Sequence, residues 1–178
     1  MKPIPFPLAV NIGTDIVHLP RIARLLQQPN YLTRFTRRIL SDQEQLDFQT
    51  RFLNNLQTQK QPTSFPTTPF QTPITPEMTR WLAGRFAAKE AARKAAPGGA
   101  AALGWKDVVI RVPEASEILE GRGTSTGMEG NVMREQEGTS RRPEIVFRGN
   151  GKDQPDRLGR LSISHDGEYV IATVLAAG

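Results

Sequence analysis

A chain of 178 residues can bury one hydrophobic core, and nothing in it calls for a second domain. The absence of cysteine excludes a disulfide scaffold and a thiolate metal site, and no apolar run approaches the ~18 residues of a membrane span. A net charge of +5 points to an acidic partner, either a nucleic acid or an acidic protein.

In chain order, Leu8 to Val17 predicts a strand, bounded upstream by prolines. Leu8, Val10 and Ile12 alternate on one face, with Asn11, Gly13 and Asp15 on the other, and the run is apolar enough for a largely buried strand. Gly13 marks a place where a ligand or another backbone approaches closely. Asp15 is out of place there, unless it ends the strand or caps the next helix. Leu19 to Leu26, with Pro20 in the first turn, predicts that helix. Arg21, Arg24, Arg34, Arg37 and Arg38 crowd the segment that follows the strand.

Gln57 to Pro76 is dense in Gln, Thr and Pro without a period and predicts an extended or disordered loop. Trp81 to Ala95 is rich in Ala, lacks β-branched residues and predicts a helix. Steps of four place Leu82, Phe86, Glu90 and Lys94 in line, with Arg85, Lys89 and Arg93 as a basic stripe beside them. Glu90 beside Phe86 either pairs with Lys94 or receives another cation. Glu114 to Arg141 is rich in Gly, Glu and Ser and reads as a second irregular insertion. Leu161 to Leu175 predicts a hairpin turning at Asp166-Gly167, with Ser162, Ser164 and His165 ending its first strand. A hydroxyl and an imidazole there suit phosphate contact or proton transfer, or are plain surface residues.

Two carboxylates from separate elements, Asp15 and Glu90, amid basic side chains make a candidate hard-cation site. Mg²⁺ takes one or two protein carboxylates and completes its shell with water and substrate phosphates. Neighbouring Arg and Lys fit a phosphate-bearing substrate.

In combination, these segments resemble the holo-(acyl-carrier-protein) synthase family of 4′-phosphopantetheinyl transferases. The resemblance rests on Asn11-Ile-Gly-Thr-Asp-Ile-Val17 with Arg21-Ile22, on Arg34-Phe35, and on Arg38-Ile-Leu-Ser-Asp-Gln-Glu44. It continues through Arg85-Phe-Ala-Ala-Lys-Glu-Ala-Ala-Arg-Lys-Ala95, Gly104-Trp-Lys-Asp-Val-Val-Ile110, Arg142-Pro143 and Leu161-Ser-Ile-Ser-His165, covering roughly half of the chain. The resemblance implies transfer of phosphopantetheine from coenzyme A to a serine of an apo acyl carrier protein, with release of adenosine 3′,5′-bisphosphate. It implies Asp15 and Glu90 as Mg²⁺ ligands and Lys94 as a charge neutraliser at the phosphates. Arg142, Pro143, Ser164 and His165 would line the coenzyme A site, and Arg21, Arg24 and Arg38 would dock the acidic carrier. A metal-bound water or Glu90 would accept the serine proton, ahead of His165. Two departures stand out: His18 replaces an acidic residue, and Ala96 to Leu103 replaces a shorter glycine-rich loop.

The implied fold is α+β, an antiparallel sheet packed on a long central helix, in a single domain of residues 1–178 with insertions at 57–76 and 114–141. The implied assembly is a homotrimer, and the cellular role is carrier activation as in fatty acid biosynthesis. A catalytically silent family member that binds a carrier complex and a basic nucleic-acid-binding protein are the alternatives. The ranking puts no nucleic acid and no membrane among the partners, because the basic residues form no dense tail. The N-terminus lacks a signal-peptide core, which favours the cytoplasm and leaves mitochondria open.

Overall fold

The computed structural model describes residues 8–54, 73–113, 142–149 and 154–178. The chain runs β1 (Val10–His18), α1 (Leu19–Leu26), α2 (Tyr31–Ile39) and α3 (Asp42–Phe48), which continues into a π-helical turn at Gln49–Leu53. Then follow α4 (Pro76–Ala95), β2 (Val108–Arg111), β3 (Glu144–Phe147), β4 (Arg157–Asp166) and β5 (Tyr169–Ala177). The five strands form one antiparallel sheet in the order β1-β5-β4-β3-β2, with α4 lying across β1 and β5. This is the α+β arrangement expected from the sequence. Most of the Gln57–Pro76 stretch and all of Glu114–Arg141 lie outside the described residues.

Alanine decides how close the helix comes. Ala83, Ala87, Ala88, Ala91, Ala92 and Ala95 of α4 are all fully buried, and such short side chains let a helix settle directly on a strand. The closest approach is at Gly13, where an added Cβ would lie 2.0 Å from the Ala91 carbonyl oxygen. Gly13 is therefore required by the backbone of α4 rather than by a ligand. The helix begins five residues before the predicted Trp81. Pro76 is its first residue, and the Thr75 side chain accepts from the Met78 N–H at 3.1 Å. Pro76 thus belongs to the helix and not to the preceding loop, because proline is pre-shaped for a first turn.

Two expectations for the strands change. The hairpin turns at Gly167-Glu168, one residue later than predicted, with Gly167 at φ +50°. Nor is β1 largely buried: its helix-facing residues are Asn11, Gly13, Asp15 and Val17, while Ile12 and Ile16 remain 67 % and 59 % exposed. The β1–β5 register places Ile12 opposite Leu175, Ile16 opposite Ile171 and His18 opposite Tyr169. Exposed Val10, Ile12, Ile16, Tyr169, Ile171 and Leu175 thus form an apolar outer face on the sheet. The close approach at Gly13 fixes which face of β1 meets α4, and Ile12 and Ile16 on the other parity point away.

Candidate active site

Asp15 sits in the middle of β1, opposite Ala172, and neither ends the strand nor caps α1. Its carboxylate accepts from the Lys94 ammonium at 2.8 Å, and Lys94 also donates to the Thr14 carbonyl at 2.9 Å. Glu90 lies one helical turn before Lys94 on the same stripe of α4. It does not pair with Lys94. Its Oε1 accepts from Arg93 Nη1 at 2.9 Å instead, because Lys94 is drawn across to β1. Asp15 and Lys94 are therefore in direct contact, with Glu90 adjacent along the helix.

The remaining candidates lie further off in the same chain. His165 is on the helix-facing side of β4, where its Nε2 approaches the Gly84 position to within 3.9 Å of an added Cβ. Asp15 aligns through Ala172 with Ile163, so His165 is two strands across and two residues along, about 12 Å away between backbones. Burial, and then the nearby Arg80 cation, hold the His165 imidazole below its ordinary pKa of 6.5. Ser164 pairs with Ile171 and points to the outer face, opposite to His165. One strand cannot aim adjacent residues at one side of the sheet, so Ser164 and His165 do not meet on one face. Arg142 and Pro143 lead into β3, three strands from β1 and about 14 Å across the sheet. Arg21 and Arg24 on α1, and Arg34, Arg37 and Arg38 on α2, are exposed.

The basic stripe of α4 is largely buried. Lys89 is fully buried, donating to Glu44 Oε2 at 2.6 Å and to the Trp105 carbonyl at 3.0 Å. Glu44, equally buried, also accepts from the backbone N–H groups of Ser41 at 2.9 Å and Ile110 at 3.3 Å. Arg85 lies 3.8 Å from Glu44 and stacks over Trp81 at 3.4 Å, and burial pushes its guanidinium down to about 10. Burial likewise lowers the Lys89 ammonium, against the opposing pull of Glu44. The available signal was Ser41-x-x-Glu44, a capping-box spacing that α3 fulfils. It marks a helix start but does not announce a buried lysine partner.

Arg93 completes the picture at the end of α4. Its Nε donates to the Leu103 carbonyl at 2.9 Å, its Nη2 to the Ala100 carbonyl at 2.7 Å, and its guanidinium lies 4.8 Å from the centre of the Trp105 ring. Chemically, this end of α4 offers two carboxylates with hard oxygen donors and two cations. Among the described residues no three His, Asp or Glu come together as a metal cage. A cation here would draw most of its shell from water and substrate oxygens, which is how Mg²⁺ is usually held. In chemical type, the carboxylate oxygens of Asp15 and Glu90 are the donors that a hard cation such as Mg²⁺ takes, and these two residues would hold it.

Comparison with known proteins gives the family. The family model described as the 4′-phosphopantetheinyl transferase superfamily matches residues 11–174, and the chain belongs to that superfamily of transferases. A relative from Aspergillus fumigatus, 4′-phosphopantetheinyl transferase B, mitochondrial, is 54 % identical over 181 residues and is covered in full, as is this chain. The solved holo-[acyl-carrier-protein] synthase from Neisseria meningitidis is similar at 25 % identity and a TM-score of 0.50, with 93 % of this chain and 95 % of that one covered. The Helicobacter pylori enzyme, solved in complex with coenzyme A, shares the fold at 23 % identity and a TM-score of 0.50, covering 92 % of this chain and 96 % of that one. Among the described residues no helix is long and apolar enough to cross a membrane.

Proposed function

We propose that this protein transfers the 4′-phosphopantetheine group of coenzyme A to a serine hydroxyl of an apo acyl carrier protein, releasing adenosine 3′,5′-bisphosphate, with Mg²⁺ held by Asp15 and Glu90. The observation that carries the reading is the 2.8 Å contact between Asp15 and Lys94, with Glu90 one turn before Lys94. The ion would supply Lewis-acid polarisation and a template for the diphosphate. The serine oxygen forms a new P–O bond to the phosphorus that carries the pantetheine. The bond from that phosphorus to the bridging oxygen breaks, and the adenosine bisphosphate leaves with its electron pair. Glu90 and solvent are the acceptors at hand for the serine proton. Lys94 would neutralise phosphate charge, which is most of what a loose phosphoryl transition state asks of a protein. His165 and the Arg142-Pro143 segment, far from Asp15 within one chain, fit a long ligand or a site shared with a second copy.

The apolar outer face of β1 and β5 supports the expected homotrimer, in which copies of this chain would cover Ile12, Ile16 and Ile171. Ile16→Asp should then lower the mass seen by light scattering to that of a monomer. Exposed Arg21, Arg24 and Arg38 suit an acidic carrier. The Aspergillus relative's name favours the mitochondrial branch of the localisation expectation, which imaging of a C-terminally tagged protein decides. Intact-mass spectrometry of an apo carrier incubated with the protein, coenzyme A and Mg²⁺ tests the reaction. A gain of one phosphopantetheine arm, lost with EDTA and in Asp15→Asn and Glu90→Gln, is expected. No gain across several carriers, from a folded protein, would favour the silent-subunit alternative, and salt-sensitive retention of DNA or RNA without coenzyme A binding would favour the nucleic-acid one.

A further inference from the structure

We propose that Arg93 is a positioning residue that sets the orientation of the Glu90 carboxylate and ties it to the loop that follows α4. The inference rests on the reading that Glu90 holds Mg²⁺. All three guanidinium nitrogens of Arg93 are engaged: Nη1 with Glu90 Oε1, Nε with the Leu103 carbonyl and Nη2 with the Ala100 carbonyl. Oε1 is thereby fixed, and Oε2 of Glu90 has no hydrogen-bond partner among the described residues, which leaves it the oxygen available to a cation. The anchor itself is rigid. Trp105, beneath the guanidinium, stacks on Phe86 with ring centres 5.2 Å apart, and its carbonyl is held by the buried Lys89.

The same loop forms one wall of a cavity of about 460 Å³ through Ala96, Pro97, Gly98, Ala102 and Leu103. A displacement of this wall therefore reaches Glu90 through a single planar group. Glu90 and Arg93 are each about four-fifths buried, with side-chain exposures of 22 % and 21 %, so solvent does little to weaken the link. Only arginine can make this three-way contact, because a lysine ammonium is a point charge without the planar fork. Ala96 to Leu103 is also where this sequence departs from the expected glycine-rich loop, so the brace belongs to this chain's own version of the loop.

The test compares Arg93→Gln, Arg93→Lys and Glu90→Gln in the full chain. In both Arg93 variants the Mg²⁺ concentration giving half-maximal transfer should rise about 10–100-fold, the usual effect of losing a residue that orients a metal ligand. At saturating Mg²⁺ the loss of kcat should be much smaller. In the metal-free protein, amide hydrogen exchange over Ala100 to Trp105 should accelerate in the Arg93 variants. It should also accelerate in Glu90→Gln, since Glu90 holds Arg93 from the other side. Faster loop exchange with an unchanged Mg²⁺ requirement would reduce Arg93 to a structural brace and overturn the proposal, as would unchanged loop exchange in Glu90→Gln. If Glu90→Gln transfers at the wild-type rate, the Mg²⁺ assignment fails instead. Should Arg93→Gln not fold, Arg93→Lys, which keeps the charge, decides.

Discussion

Replacing Lys89 by methionine isolates what the buried ion pair contributes. The substitution keeps an unbranched apolar stem of nearly the same length, so the change is mainly the loss of the charge. It removes a cation that lies 2.6 Å from Glu44 Oε2 at a site where both side chains are wholly inaccessible. With an effective dielectric constant of ~20, two unit charges at that separation attract by about 6 kcal/mol. Desolvation of the two ions, at several kcal/mol each, offsets most of it, so the intact pair is close to neutral against an apolar one. Removing one partner is different, because the other stays buried without its counter-charge, at about 3–5 kcal/mol. Glu44 keeps the Ser41 and Ile110 N–H groups and has Arg85 at 3.8 Å, which places Lys89→Met at the low end, about 3 kcal/mol. That is about 150-fold in the folding equilibrium, and about 6–12 °C in Tm for a chain of this size.

Urea unfolding at fixed protein concentration measures it, and the midpoint should fall with an unchanged slope. The double variant Glu44→Gln/Lys89→Met should recover at least about 1 kcal/mol relative to Lys89→Met, since it leaves no orphaned charge. A loss below about 1 kcal/mol in Lys89→Met would show that water reaches the pair and that it behaves as a surface bridge. A double variant worse than the single one would show that Glu44 matters through its backbone contacts alone.

Gly13→Ala should destabilise by about 3 kcal/mol, since its Cβ would meet backbone atoms of α4 that cannot move aside, whereas Gly167→Ala at φ +50° with open space around it should lose only about 1 kcal/mol. Equal losses in urea unfolding would refute the close-approach account of Gly13. The His165 imidazole should titrate below 6.5 in an NMR pH series, and Arg80→Ala should raise its midpoint by removing a cation. Because the folded state binds that proton less readily than the unfolded chain, this group's contribution to stability is full above 6.5 and falls as the pH drops toward the lowered value. A midpoint at or above 6.5 would contradict both statements. Arg24→Glu should raise the KM for an acidic carrier with little change in the KM for coenzyme A, and an unchanged carrier KM would remove α1 from the docking face.

The elements that the sequence makes plain are those whose evidence is local. Alanine density gives α4, period-two alternation gives β1, and the hairpin signature at Asp166-Gly167 gives β4 and β5 with the turn to within one residue. Asp15 and Glu90 could be singled out because each sits against the expectation for its element, whereas Lys94, an ordinary last-turn lysine, could be picked out only through the family resemblance. Lys89 could not. Its spacing with Arg85 and Arg93 shows only a basic stripe, and the partner it is buried with lies 45 residues earlier in the chain. Ser164 and His165 are adjacent in sequence, and only the register of β4 against β5 shows that they face opposite ways.

The parity of β1 ties these observations to one cause. Alternation shows that the strand has two unlike faces but not which one meets the helix, and the larger apolar side chains argue for the wrong one. The answer was present in Gly13, because a helix as lined with alanine as α4 comes close enough at one point to leave no room for a Cβ. A slip of one residue would have placed Ile12 and Ile16 under α4 and turned Asp15 to the outer face, away from Lys94 and Glu90. The same choice leaves Ile12 and Ile16 uncovered beside Ile171 and Leu175. The glycine that brings a carboxylate to the end of α4 is thus also what leaves an apolar surface on the outer face of the sheet.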